Sequence, residues 1–321
     1  MPTNFSYCSH NSRDVSLENP IGSASGFTRN LLFEVPLPWD RIPLNTAHIP
    51  QDVKDALAEV EQKLGKTSVT LLAPDRSYAV DGARLIDVQV IDGRITRREI
   101  IATDGDLAGV IRSIAHGAPL PDTAYIDATP WRDIAVCTHG SRDACCAKFG
   151  FPMYLKMHAA ATQLPNTRVW RCSHLGGHRF APTMIDLPAG RSWGLVDEAA
   201  AQTIMFQSGD VAELVPHIRG SVIHKAAEVQ MLEAELFARI GWSWLEWHQT
   251  GRVLEHDEAG RGVAVELTGT HPEHGEITFR ADIEWGQEFT TIASCNAEPV
   301  QYVRKRLLNV QEITPALTAT T

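Results

Sequence analysis

Two pairs of metal-binding side chains restrict what residues 137–178 can fold into. Cys137 and Cys146 have eight residues between them; His174 and His178 have three, two of which are Gly176 and Gly177. Between the pairs the sequence reads as strand, helix, strand. DIAVCTH (133–139) and TRVWRC (167–172) have strand character, and DACCAKFGFPMYLKMHAAATQL (143–164) reads as a helix in which Pro152 allows a kink or break. Cys137 then lies at the C-terminal end of a strand and Cys146 in the first turn of the next helix. In an α/β unit these positions share one edge, where ligands bind. A helix N-terminus also stabilises a thiolate. Cys145 and Cys146 are adjacent and cannot point the same way, so only one of them is expected to ligate. Cys172, two residues before His174, is a confounder: it could replace a ligand or simply fill the strand.

A helical i, i+4 reading of His174 and His178 conflicts with the two central glycines, each costing a helix about 1 kcal/mol. Gly-Gly instead gives positive-φ freedom, room for backbone beside a bulky inorganic core, and exposed N–H groups. The plain alternative is a glycine-rich loop with two solvated histidines. Thiolate with imidazole suits zinc or an iron–sulfur cluster. Cys2His2 is a common structural zinc set, although such zincs usually rescue small units that lack a core. No C-x-x-C occurs, which disfavours a thiol–disulfide centre. His139 is expected to face away from the ligands, and His158 to lie deep in the helix. Arg142 and Arg179 flank the ligands, as solvated surface or as charge for a reduced site. Asp143 reads as an N-cap, and Cys8 as a free thiol in an irregular arm.

Upstream, residues 1–28 read mostly as loop. They are followed by LLFEVP (31–36) as a strand, a helix from Pro50 to Gly65, and a buried strand at 67–73. RLIDVQVID and ITRREIIAT form a hairpin around Asp92-Gly93, and 106–117 is a helix ended by Gly117. Strand, helix, strand, hairpin, helix is the thioredoxin-like order. The segment from 133 repeats it, with a hairpin around Ala189-Gly190 and a helix over 197–209. Residues 82–94 and 177–191 echo each other loosely, consistent with duplication; the first copy has no Cys or His at the ligand positions. A long amphipathic helix is expected from Val222. Trp242, Trp244 and Trp247 follow, for core packing or aromatic docking. Then come strand-like runs GRVLEHD, GVAVELTG, EITFRADIEW and FTTIASC, with turns at 257–262 and 270–275, a basic segment VQYVRKRLLNV and a frayed ITPALTATT.

CTHGSRDACC, SHLGGHRFAPT and LPAGRSWGLVD together resemble the sucrase/ferredoxin-like family, which is similar to thioredoxin-like [2Fe-2S] ferredoxins. GSASGFTRNLLFEVPLPWD resembles the family's N-terminal segment, with Ser23 in place of Thr, Asn30 in place of Trp and Leu37 in place of Gly. The resemblance covers residues from about 8 to 240. It implies a [2Fe-2S] cluster held by Cys137, Cys146, His174 and His178; its spacing selects Cys146 over Cys145. The expected fold is α/β: an N-terminal domain over 1–122, a degenerate thioredoxin-like copy without a cluster; a thioredoxin-like ferredoxin domain over 123–212; and a long helix with a β-rich unit over 213–321.

The expected function is electron transfer, with a redox partner protein. The alternatives are a thiol- or metal-dependent reductase using the same site, and a zinc-stabilised interaction protein. A net charge of −10 argues against nucleic acid as a partner. No apolar run approaches the roughly 20 residues of a membrane span, and the polar start MPTNFSYCSHNSRD does not resemble a signal peptide. Six cysteines are too few for a disulfide scaffold, so reduced cysteines and a cytoplasmic location are expected.

Overall fold

The computed structural model describes residues 6–256 and 260–313. A single helical turn, α1 (Cys8–His10), begins it. The first half of the main sheet follows as β1 (Arg29–Glu34), α2 (Gln51–Leu64), β2 (Ser68–Leu72), β3 (Ala83–Ile91), β4 (Arg94–Ala102), α3 (Leu107–His116) and β5 (Ala124–Asp127). The second half is β6 (Arg132–Cys137), α4 (Phe151–Ala161), β7 (Thr167–Cys172), β8 (Met184–Leu187), β9 (Arg191–Trp193), α5 (Glu198–Phe206) and β10 (Ile218–Ser221). Helix signals sit where the sequence places them. Asp106 and Asp197 cap α3 and α5 through the Gly109 and Ala200 N–H groups, and Gly117 takes a left-handed φ of +59°.

All ten strands form one mixed sheet, in the order β10-β9-β8-β6-β7-β2-β1-β3-β4-β5. Outward from the β2–β7 seam, the two halves have the same topology. In each, the first strand pairs parallel with the second and antiparallel with the third. The seam is short, with Leu72 opposite Cys172. The sheet bends back over it: Arg97 on β4 reaches Asp133 on β6 at 2.7 Å, and a Cβ on Gly190 would strike the Ile95 side chain. Leu32, Leu72, Ile86, Ala135, Trp170 and Ile185 fill a core drawn from both halves. Arg168 is buried among Glu99 and Asp133, at 2.6 and 2.7 Å. The expected boundaries at 122 and 212 fall just before β5 and β10, four-residue strands too short to show a pattern.

After β10 comes α6 (Ala227–Ile240), then an antiparallel meander of β11 (His248–His256), β12 (Gly262–His271), β13 (Gly275–Thr291) and β14 (Val300–Glu312). The meander packs on α6, with Leu232 and Phe237 in one cluster with Val265, Leu267 and Ile283. Trp244 is buried and donates to Glu233 at 2.9 Å; Glu233 in turn holds Arg191 at 2.6 Å. Four expectations are revised. The helix over 197–209 stops at Phe206 because Gln207 turns left-handed (φ +45°). The helix expected from Val222 begins only at Ala227, and IRGS before it is a strand. EITFRADIEW and the start of FTTIASC are one 17-residue strand, and the basic VQYVRKRLLNV is its partner. Residues 257–259 of the expected turn, and all but the first residue of ITPALTATT, lie outside the described residues. No described helix is long and apolar enough to cross a membrane.

Candidate metal centre

Strand β6 is buried and ends in Cys137, opposite Cys172 in register. The chain then tightens, with Asp143 N–H donating to the His139 carbonyl at 3.2 Å and Cys146 N–H to the Asp143 carbonyl at 3.1 Å. The helix opens as α over 144–145 and then widens. Cys146–Gly150 is a wide π-type turn that leads into α4. Pro152, which has no N–H, follows this widened turn. Gly150 lies against the strand end: a Cβ there would stand 2.0 Å from the Cys137 carbonyl oxygen. Glycine lets the turn approach closely enough to put Cys146 beside Cys137.

The ligand atoms of Cys137, Cys146 and His174 all lie within 4.8 Å of one another. Both cysteines are fully buried. Hydrogen bonding from the Cys146 thiol, reinforced by His174, pulls the Cys137 thiol well below the usual range; the Cys146 thiol, as the donor, is pushed up. A metal bound there would take the thiolate forms and displace the thiol protons. His178 lies outside this group of three. Its ring centroid is 5.2 Å from that of His174, its Nε2 is 3.6 Å from Asp143 Oδ2, and its Nδ1 is buried without a hydrogen-bond partner. Burial lowers the His178 pKa and so favours the neutral imidazole that can ligate.

The Gly-Gly loop is needed to seat both histidines. Gly176 and Gly177 adopt φ of +77° and +63°, and a Cβ on Gly177 would stand 2.5 Å from the Arg219 guanidinium. A sucrase/ferredoxin-like family model matches residues 20–225, a span that contains both cysteines, both histidines and this loop. The chain belongs to the sucrase/ferredoxin-like family. No curated protein and no solved structure matches it. Membership and geometry together give a Cys/His grouping that could hold a metal.

Within this family member, several residues position the site without joining it. His139 Nε2 is 2.9 Å from the Asp40 carbonyl, which only accepts, so Nε2 carries the proton. Nδ1 is left to accept the His174 backbone N–H at 3.2 Å. Ser141 donates to the Trp39 carbonyl at 2.7 Å, so the loop after β1 holds the loop between Cys137 and Cys146. His158 lies away from the site, against Asp75 and Tyr154. Arg179 is committed to Glu18 at 2.7 Å. Arg142 lies near enough to His139 and His178 to lower the pKa of both.

Sequence reasoning missed Arg219, since nothing in IRGS distinguishes it from a surface arginine. It is 1% exposed and donates to the Gly176 carbonyl and Ser23 Oγ, both at 3.1 Å. Burial, with Arg179 nearby, brings its pKa down to about 10, while the neighbouring Cys137 and Cys146 oppose that fall. The second omission lies on the other side of the same turn. Cys8 is fully buried rather than free in an arm, and it meets Cys145, Cys295 and Asp143. Burial pushes the Asp143 carboxyl up, but hydrogen bonds from Cys295, Cys145 and Ser294 outweigh it and hold the pKa at about 2. The Asp143 side chain accepts the Cys145 N–H at 2.9 Å, two residues on, as a cap of the coming turn. The vicinal Cys145-Cys146 pair was the sequence signal for this second group.

Proposed function

We propose that this chain is an electron-transfer protein carrying one [2Fe-2S] cluster, with Cys137 and Cys146 on one iron and His174 and His178 on the other. One observation carries this reading: two buried cysteines and His174 converge at one sheet edge, with the His178 ring 5.2 Å from that of His174 and its buried Nδ1 unpartnered. Three ligand atoms in a tight group with the fourth outside it suit a core wider than a single tetrahedral ion. Such a cluster supplies one-electron transfer. The residues around it have separable tasks. The cysteines, sealed by β6, β7 and the π-type turn, exclude water. The half-buried histidines give the side that faces solvent and a partner. Arg219 contributes a buried positive charge that favours the reduced state, and Asp143 orients His178 from its Nε2 side.

In the same proposal, the first half of the sheet is a cluster-free copy. It carries Glu34 and Leu72 at the strand ends where the second half carries Cys137 and Cys172. The partner is a redox protein docking on the histidine side, and the net charge of −10 suits a basic one rather than nucleic acid. The free cysteines suit a reducing, cytoplasmic setting. Anaerobic purification with iron and sulfide analysis tests the reading. About two irons and two sulfides per chain are expected, with visible absorption lost in Cys137→Ser and Cys146→Ser and kept in Cys172→Ser. Iron and sulfide absent after reconstitution, or absorption lost in Cys172→Ser and kept in His174→Ala, refutes it.

A further inference from the structure

The second cysteine group has the dimensions of a metal site. The Sγ atoms of Cys8 and Cys145 are 3.5 Å apart, those of Cys145 and Cys295 3.2 Å, and those of Cys295 and Cys8 3.7 Å. Asp143 Oδ1 lies 2.9 Å from Cys295 Sγ and 3.7 Å from Cys8 Sγ. A tetrahedron with metal–sulfur bonds of about 2.3 Å and a metal–oxygen bond of about 2.0 Å has sulfur–sulfur edges of roughly 3.8 Å and sulfur–oxygen edges of roughly 3.5 Å. The sulfur–sulfur spacings are 0.1–0.6 Å shorter than such an edge, the sulfur–oxygen spacings lie on either side of theirs, and all stay far above the roughly 2.05 Å of a disulfide. Hydrophobic packing does not account for the group, because its centre includes the Asp143 side chain, with Oδ1 2.9 Å from Cys295 Sγ. Asp143 is itself fixed: Oδ2 accepts from Ser294 Oγ at 2.8 Å and from the Cys295 N–H at 2.9 Å. Oδ1, which also accepts the Cys145 N–H at 2.9 Å, is turned toward the three sulfurs.

We propose that Cys8, Cys145, Cys295 and Asp143 form a second, closed metal site that binds one tetrahedral divalent cation of the zinc class. Three thiolates and one carboxylate make a sulfur-rich, four-coordinate set, which selects zinc over calcium, magnesium or manganese. Binding displaces the thiol protons to solvent and involves no redox step. With four protein ligands no coordination position remains for substrate, so the site is structural. It ties α1 and the loop after β13 to the turn that begins two residues before Cys145. Because Cys145 precedes Cys146, and Asp143 faces both the thiols and His178, the ion would fix the turn that presents Cys146. This assignment does not depend on the identity of the first centre.

The test is elemental analysis of the full chain expressed with zinc and freed of any affinity tag. About one zinc per chain is expected, separate from the iron. Cys8→Ser and Cys295→Ser should each lower zinc at least five-fold. Cys137→Ser should do the reverse, losing iron and keeping zinc, which separates failure of this site from failure of the first. Cobalt added to zinc-depleted wild type should give the intense bands of tetrahedral thiolate coordination, and these should be absent in Cys295→Ser. Wild type without zinc and unable to take up cobalt overturns the proposal, whatever the folding of the variants. So does zinc that stays bound in both serine variants, or an intact mass lighter by two hydrogens, showing a disulfide within the group.

Discussion

Gly150→Ala sets two effects of known sign against each other. Gly150 has ordinary right-handed helical angles (φ −72°, ψ −40°), so propensity alone favours alanine there by roughly 1 kcal/mol. The added Cβ, however, stands 2.0 Å from the Cys137 carbonyl oxygen, and such contacts essentially never fall below 3.0 Å. The obstacle is backbone within β6 and cannot rotate away. The turn must therefore retreat from the strand end by about 1 Å, the difference between those two values. Overpacking of this kind costs about 1–3 kcal/mol, which offsets or exceeds the propensity gain. The larger consequence is at the centre. Metal–ligand distances tolerate only about 0.2 Å, so a 1 Å separation of Cys146 from Cys137 is several times too large for both to bind as before. The expected variant is folded, with a thermal midpoint equal to wild type or a few degrees lower, but its bound iron and sulfide fall several-fold. Circular dichroism, thermal denaturation and elemental analysis on one preparation read all three. Full iron content with an unchanged or raised midpoint would show that the close approach of Gly150 to β6 does not set the cysteine pair.

Three further outcomes follow from groups around the sites. Arg219→Gln should lower the midpoint potential, since a buried positive charge favours the reduced state; an effect on the order of 1 kcal/mol corresponds to about 40 mV for one electron, and Arg219→Lys should recover part of it. The midpoint potential of the wild type should lie above the roughly −400 mV of four-cysteine ferredoxins and fall as pH rises through the oxidised-state pKa of a ligating imidazole, by up to about 59 mV per pH unit. Replacing a ligating imidazole by a thiolate, in His174→Cys or His178→Cys, should flatten this slope; redox titration from pH 6 to 10 checks both. His224, buried and hydrogen-bonded to Gln249 at 3.2 Å, has its pKa lowered below 6.5 chiefly by burial, with Glu233 opposing and Arg191 reinforcing; its contribution to stability is fully present above 6.5 and is lost as pH falls through the folded-state pKa, so the thermal midpoint of His224→Gln should fall less than that of wild type between pH 7 and 5.

What could be read from the sequence, and what could not, divides by distance along the chain. Asp92-Gly93 and Ala189-Gly190 announce their hairpins because a positive φ at the glycine is a local requirement, met at +73° and +70°. The Gly-Gly between His174 and His178 excludes a helix for the same local reason. β10 was not legible: four residues carry no period, and its arginine is buried for the sake of a loop more than forty positions earlier. β14 was not legible either, because Arg304, Lys305 and Arg306 run consecutively and break any alternation along an edge strand that covers little core. The second cysteine group joins residues 137 and 150 positions apart, and isolated cysteines at such separations carry no spacing signal. Only the vicinal pair pointed to it. Adjacent side chains at the start of a helix face different ways, so if Cys146 turns to the strand end, Cys145 must turn to something else. That something is contributed by residue 8 and residue 295. The turn that completes the Cys137–Cys146 pair is therefore also the segment where chain from both ends meets, and the geometry of one centre is coupled to the closure of the other.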